Sequence, residues 1–305
     1  MDIKQFEYVI TIAESGSLSL AAERLFLSQP NLSKFLTKLE NELGTKLFIR
    51  TSFGTKLTKS GEIYVDSAQK IMQQYRRAQN KINDIQNLEA GRVDFGISTY
   101  RGSFLLPGIL KKFNTRYPNV DIVIHEHDSV VLEELTSKGK LDMALIAKPD
   151  HRKGMASKSI LEDEVVLVAH KDFELNCEIH PFDNGGQWIE LETLLRANVP
   201  FILSPPRTIL GNLARSYFKD AFPSILAINQ NCSAEMAVAL ASEGLGVAFN
   251  YRSCFRGNSD LKSYSIGFHK RFVPLLLMYP ADSDDYKCRS TLLLAELIKE
   301  YFNQK

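Results

Sequence analysis

Residues 21–44 read AAERLFLSQPNLSKFLTKLENELG, and two short helical patterns meet there with only Ser28-Gln29-Pro30 between them. Ala21 and Ala22 in the first pattern are small enough for another helix to approach closely. The second begins at once. Ser28 suits an N-cap, Pro30 falls in the first turn where a missing N–H costs nothing, and Gly44 suits a C-cap. Leu32, Leu36, Leu39 and Leu43 make one apolar stripe and leave Asn31, Ser33, Lys34, Thr37 and Lys38 on the other faces. A helix that enters the major groove must present short hydrogen-bonding and cationic side chains of this kind to base edges and phosphates. An ordinary amphipathic helix with a solvated face has the same pattern, so the flanking sequence decides.

Upstream, Ile3, Phe6, Val9, Ile10 and Ala13 recur at helical spacing, which predicts a first helix over residues 3–14 ended near Gly16. Ser17 or Ser19 can cap a second helix over residues 20–26. Downstream, KLFIRTSFGTKLT holds two β-like runs, residues 47–50 and 56–58, joined by a Ser-Phe-Gly-Thr turn. A helix-turn-helix followed by a hairpin is a winged helix, with Arg50 and Lys56 as the wing cations. Charge agrees. The whole chain carries a formal charge of only +1, but residues 29–60 hold six cations against two carboxylates. A basic face on a small segment is the electrostatic footprint of a nucleic-acid partner.

From Gly61 onward, Tyr64, Ala68, Ile71, Tyr75, Ala78, Ile82 and Ile85 are spaced alternately four and three apart. This is a coiled-coil seam, which predicts a long helix paired with its copy in a second subunit; packing on its own globular domain is the other reading. Two recognition helices in one dimer then meet two half-sites.

These residues carry a resemblance. The Ala-Ala pair, the Ser-Gln-Pro turn, the Leu-Glu-x-Glu-Leu-Gly helix end, the Leu-Phe-x-Arg wing and the Leu-Thr-x-x-Gly exit resemble, in order and spacing, the N-terminal signature of the LysR-type transcriptional regulators. The similarity continues more weakly to the C-terminus. It implies a reading helix at residues 29–43, a wing at residues 47–58, and a tetramer built as paired dimers. Two positions depart from the pattern: Asn31 stands where a small apolar residue is more common, and Phe35 where a polar one is. Either contacts DNA, Phe35 through a thymine methyl, or Phe35 packs on the first helix.

The remaining two hundred residues cycle between strands and helices. GRVDFGISTY, VDIVIHEH and LDMALIA read as strands around the helices FLLPGILKKFNTRYP and VVLEELTSKG. DEVVLVAH, VPFILS, ILAINQN and VAFN read as a second set with the helices ILGNLARSYFKDAF and AEMAVALASEG, before a last strand at residues 272–279 and a helix at 286–302. Such an order implies a largely parallel sheet covered on both faces. It resembles the family's effector domain, two α/β lobes similar to periplasmic solute-binding proteins, with crossovers near residues 161–164 and 267–272.

Ligands of parallel α/β sheets sit beyond the carboxyl ends of strands and at helix N-termini. That rule selects four loops: Ser98, Thr99, Tyr100, Arg101 and Ser103; Asp128 and Ser129; Ser204, Arg207 and Thr208; and Cys232 and Ser233. Ser103, Ser129 and Ser233 serve equally as plain N-caps. Arg101 and Arg207 suit a carboxylate or phosphate on the effector, or a salt bridge.

Other chemistry finds little support. His125 and His127 alternate on one strand without a third ligand of matching spacing, and Gly244-Leu245-Gly246 follows a helix and reads as its termination. Cys232 at a helix start is a candidate redox thiol without a resolving partner, and Cys177, Cys254 and Cys288 are as widely scattered. No cofactor or metal is expected, and no apolar run is long enough to span a bilayer.

The expectation is an α/β multidomain, cytoplasmic, non-enzymatic regulator. A winged helix-turn-helix over residues 1–58 meets promoter DNA through Ser28, Gln29, Pro30, Asn31, Ser33, Lys34, Thr37, Lys38, Arg50 and Lys56. A linker and dimerisation helix follows over 59–90. Residues 91–305 bind a small, anionic effector between lobe I (91–162 and 268–305) and lobe II (163–267). The alternative is an α/β solute-binding or enzymatic protein with an accessory helical domain, which predicts ligand binding or turnover without sequence-specific DNA affinity.

Overall fold

A computed structural model describes residues 3–51, 54–85, 90–147, 155–183, 185–218, 226–255, 260–280 and 288–303. The chain divides into two compact units, Met1–Gly91 and Arg92–Lys305.

In the first unit, α1 (Ile3–Ser15) buries Phe6, Val9 and Ile12. The second helix, α2 (Leu18–Arg24), is capped by Ser17, whose hydroxyl accepts from the Leu20 amide, so of the two candidate caps Ser17 is the one used. α3 (Gln29–Leu43) follows after four residues and ends at Gly44 in the left-handed region. Ser28 holds the N-cap position, but its hydroxyl makes no capping bond. Leu32, Leu36 and Leu39 are buried, whereas Leu43, the last of the stripe, is exposed. The hairpin β1 (Phe48–Thr51) and β2 (Gly54–Leu57) pairs Ile49 with Lys56 and Arg50 with Thr55. Its tip residues 52 and 53, and the Arg50 side chain, lie outside the described residues. The Thr55 amide donates to the Gly16 carbonyl at 2.7 Å, which fastens the hairpin to the α1–α2 turn.

α4 (Lys59–Ile85) begins hard against the wing: a Cβ at Gly61 would overlap the Leu47 carbonyl oxygen. Only the start of the heptad seam packs within the unit. Ala68 is fully buried, and Tyr64 meets Phe6 of α1 with ring centroids 6.2 Å apart. Ile71, Tyr75, Ala78 and Ile82 face solvent, and the Ile85 side chain lies outside the described residues. The helix therefore divides: its first turns belong to its own domain, and its remaining length presents an apolar stripe.

The second unit is built on a mixed sheet, with eleven strands among the described residues. β3 (Ala90–Ile97), β4 (Asn119–Glu126) and β5 (Met143–Ala147) are joined through α5 (Thr99–Arg116) and α6 (Ser129–Ser137). β6 (Met155–His170) follows as the longest strand. After β7 (His180–Pro181) and β8 (Gln187–Ile189), α7 (Leu191–Arg196), β9 (Phe201–Ile202), α8 (Ile209–Phe218), β10 (Ala227–Asn229), α9 (Ala234–Ser242) and β11 (Val247–Tyr251) make a second βαβ set. β12 (Leu261–Ile266), β13 (Arg271–Pro280) and α10 (Arg289–Asn303) complete it. Parallel pairing joins β5 to β3 on one side and β10, β9 and β11 on the other. The long strands β6 and β13 lie between and pair antiparallel from Arg271 opposite Val165 to Pro280 opposite Met155.

This corrects the largely parallel reading. The two crossovers are themselves the longest strands, and they join two parallel sets through an antiparallel centre. DEVVLVAH is the second half of β6, and the helix expected from residue 104 begins five residues earlier. Residues 219–222 of the expected α8, residue 225 of the expected β10, and residues 286 and 287 lie outside the described residues.

Candidate nucleic-acid interface and effector cleft

The reading face of α3 is a broad open depression of about 920 Å³ lined by Gln29, Pro30, Ser33, Lys34, Thr37, Lys38, Asn41 and Glu42. Most of the expected contacts therefore share one surface. Ser28, Asn31 and Lys56 are exposed, but none of the three lines this depression. Lys38 pairs with Glu42 at 3.8 Å, an exposed i,i+4 pair whose hold on the lysine is weak. Thr37 turns its hydroxyl back to the Ser33 carbonyl at 2.9 Å. Phe35 does not face the groove. It meets Tyr8 of α1 edge-on with centroids 5.1 Å apart, so packing on the first helix accounts for it.

Glu40 is a working residue that sequence reasoning counted only as a charge. It is buried, and Oε1 accepts from the Leu47 amide at 2.9 Å and the Phe48 amide at 3.2 Å. Oε2 accepts from Lys46 Nζ at 2.7 Å. Burial pushes this carboxyl upward, but the Lys46 contact and the two amides outweigh it and hold the group below its ordinary value. One carboxylate thus fixes the wing's first strand to the reading helix.

In the second unit, Ser98 is the N-cap of α5, and Thr99, Tyr100, Arg101 and Ser103 lie within the helix. Ser103 donates to the Tyr100 carbonyl at 2.9 Å and is not a cap. Asp128 is the N-cap of α6 and Ser129 its first residue, while Ser233 caps α9 by accepting from the Met236 amide at 3.1 Å. Ser204 follows β9 and is buried, with its carbonyl accepting from Arg215 Nη1 at 2.7 Å. Arg207 is exposed and lies 3.8 Å from Asp128, which brings the loop after β9 and the loop after β4 together.

Arg101 and Tyr100 have partners within their own unit. The Arg101 guanidinium is 2% exposed and donates to Asp163 at 2.6 Å and to the Ser253 hydroxyl at 3.1 Å. Its Cζ sits 3.8 Å from the centre of the Tyr251 ring, a cation–π contact between two buried side chains. Ser253 donates its amide and hydroxyl to the two oxygens of the same carboxylate, at 3.0 and 2.7 Å. Tyr100 donates to Asn250 Oδ1, and burial pushes its phenol far up, so it stays a donor. These side chains join α5 to the crossover strand β6 and to the end of β11.

The remaining candidates resolve locally. His125 Nε2 lies 2.8 Å from Asp94 Oδ1, an oxygen shared with Arg92, which gives this histidine a partner other than a metal. Gly244, at φ +74°, closes α9 as a terminator. Burial pushes the Cys232 thiol up, away from the thiolate that a redox sensor needs. Among the described residues no helix is long and apolar enough to cross a membrane.

A winged helix-turn-helix with a cationic reading face, followed by a mixed α/β unit in which Arg207 after β9 approaches Asp128 after β4, has the form of a ligand-responsive DNA-binding regulator. Residues 3–62 match the bacterial regulatory helix-turn-helix protein, lysR family, and residues 86–289 match the LysR substrate binding domain. The chain belongs to the LysR family of DNA-binding transcriptional regulators, with an effector-binding domain, and is not an enzyme. It is 34% identical over 264 residues to the uncharacterised HTH-type transcriptional regulator YcgK of Bacillus subtilis, covering 81% of this chain and 79% of that one. It is 32% identical over 174 residues to the nitrogen assimilation regulatory protein nac of Escherichia coli, covering 56% and 57%. A full-length variant of OxyR from Pseudomonas aeruginosa shares the fold with a TM-score of 0.68 at 22% identity over 98% of both chains. CbnR in complex with its target DNA does so with a TM-score of 0.69 at 20% identity over 99% of this chain and all of the other.

Proposed function

We propose that Gln29, Pro30, Ser33, Lys34, Thr37 and Lys38 meet promoter DNA, with Ser28, Asn31, Arg50 and Lys56 at the rim and wing, in a cytoplasmic homodimer paired along α4. Winged helix, linker helix and two-lobed effector domain divide near residues 58 and 90, and the family implies a tetramer of two such dimers. A small anionic effector binds between the lobes against Ser98, Thr99, Ser129, Ser204, Arg207 and Ser233, with Ser103 outside this set as a helix-internal residue.

The observation that carries the effector reading is the 3.8 Å approach of Arg207 to Asp128. A cation from one lobe and a carboxylate from the other meet there in water, where the pair itself stabilises little. An effector carboxylate competes with Asp128 for Arg207, and its binding shifts the lobe equilibrium by its differential affinity. Footprinting of the gene's upstream region, with and without small carboxylic acids, tests this reading. An acid-dependent change in the protected span is expected. Arg207→Ala should abolish the change and leave basal protection intact. A footprint insensitive to every acid tried, or lost altogether in Arg207→Ala, rejects it.

A further inference from the structure

Phe26 occupies the turn between α2 and α3 with φ +54° and is 96% exposed. The turn is a Schellman motif: the Phe26 amide donates to the Glu23 carbonyl at 3.1 Å and the Leu27 amide to the Ala22 carbonyl at 2.9 Å. The same pair of backbone bonds recurs at Gly44, Gly139, Asn198 and Gly244. At all four the chain places Gly or Asn, the residues that tolerate a left-handed φ, and an aromatic residue there is an outlier. Strained backbone persists where something over-determines it, and such positions cluster at functional sites. The Schellman bonds hold the backbone there, but a ring this exposed packs against almost nothing in its own chain, so nothing within the protomer accounts for an aromatic side chain at this position.

The position says what does. Phe26 precedes the N-cap of α3 by two residues and Gln29, the first residue that lines the reading face, by three, immediately before the segment 29–60 whose cationic surplus draws a phosphate backbone toward it. We infer that Phe26 is a DNA-contact residue, which seats its ring on an apolar patch of the duplex at the rim of the major groove, a thymine C5-methyl or a deoxyribose. The inference rests on the DNA-contact reading above and adds a side chain that carries no charge and has no hydrogen-bonding group.

Strain and contact predict opposite signs for one substitution, and this makes the test decisive. A duplex selected from a random library by the wild-type full chain serves as probe, and Phe26→Asn and Phe26→Tyr are compared with wild type in melting temperature and affinity. Asn accepts the left-handed φ, so the melting temperature should rise by at least about 2 °C. Affinity should fall about tenfold, with an unchanged salt dependence because no phosphate-paired charge is lost. Tyr should retain wild-type affinity. Deoxyuridine in place of each thymine then separates the two contacts: loss of wild-type affinity at one position marks a methyl, and no loss at any marks a sugar. Equal affinity of wild type and Phe26→Asn overturns the inference and leaves the DNA-contact reading standing. So does a lower melting temperature, which would mean the ring is packed within the protein, or dissociation of the oligomer in sedimentation, which would mean a protein interface. A wild-type chain that selects no sequence sinks the DNA-contact reading itself.

Discussion

At Glu40 a carboxylate seven residues before Leu47 accepts two backbone amides and one ammonium, and their combined effect decides how firmly the wing is held to the reading helix. Lys46 is mostly exposed, so its contribution is screened, and the amides, buried with the carboxylate, carry most of the stabilisation. Glu40→Gln keeps the volume but replaces one accepting oxygen with a donor. The first unit should lose about 1–3 kcal/mol at pH 7, read by chemical denaturation. The pH dependence has a definite sign. The folded carboxyl titrates below its ordinary value, so the stabilisation is fully present above the unfolded pKa of about 4.3 and is lost as pH falls through the folded one. The gap between wild type and Glu40→Gln should therefore narrow below about pH 4.3, and a gap constant down to acid would reject this role. None of this was legible in the sequence, because a Glu two residues before Glu42 on a polar face reads as a solvated charge, and only the wing's return over α3 buries it.

Among the elements, those whose burial repeats locally were read well. The leucine stripe of α3 and its Gly44 terminator follow from spacing and backbone chemistry alone. Sequence alone starts α5 too late because Ser98 to Ser103, with Gly102 among them, reads as loop. Gly102 sits there for packing: a Cβ would lie 3.3 Å from Ile97 Cγ2 in the sheet beneath. α4 is the mixed case. Its heptads are plain, but spacing cannot distinguish a stripe that faces a neighbouring helix of the same chain from one that faces another chain. The structure divides them, with Ala68 buried and Ile71, Tyr75 and Ile82 between 42% and 54% exposed. A stripe of this kind on a long polar helix calls for a second copy. If α4 pairs the protomers as proposed, Ile71→Glu with Ile82→Glu should leave far-ultraviolet dichroism unchanged and lower the oligomeric mass at micromolar concentration in sedimentation velocity. An unchanged mass would place the interface elsewhere.

At the scale of the molecule, the effector unit is held at its centre by groups distant in sequence. Arg101 and Asp163 are 62 residues apart, and Tyr100 and Asn250 are 150 apart, so no local pattern could have paired them. Because β6 carries one parallel set, β13 carries the other, and the two strands pair with each other over ten positions, the lobes are not two bodies on a slack tether, and movement between them must bend these strands or rearrange the Arg101–Asp163–Ser253 network. A buried ion pair stabilises little against a well-packed apolar replacement, but leaving one partner alone is costly. Arg101→Met strands the Asp163 carboxylate on Ser253, and Asp163→Asn strands the guanidinium over Tyr251. Each single change should cost about 3–5 kcal/mol in the unfolding of the second unit. The double variant should cost clearly less than the two together, since it leaves no uncompensated charge. Additive losses would mean that the pair is not coupled and that the lobes are fixed by the strands alone. Tyr100→Phe is the gentler probe. It removes one hydrogen bond between α5 and β11 while Asn250 Oδ1 keeps the Tyr251 amide at 2.7 Å. If effector binding works by changing the lobe angle, this variant should keep basal DNA affinity and shift the effector concentration for half response, because the network biases the same equilibrium that the effector does.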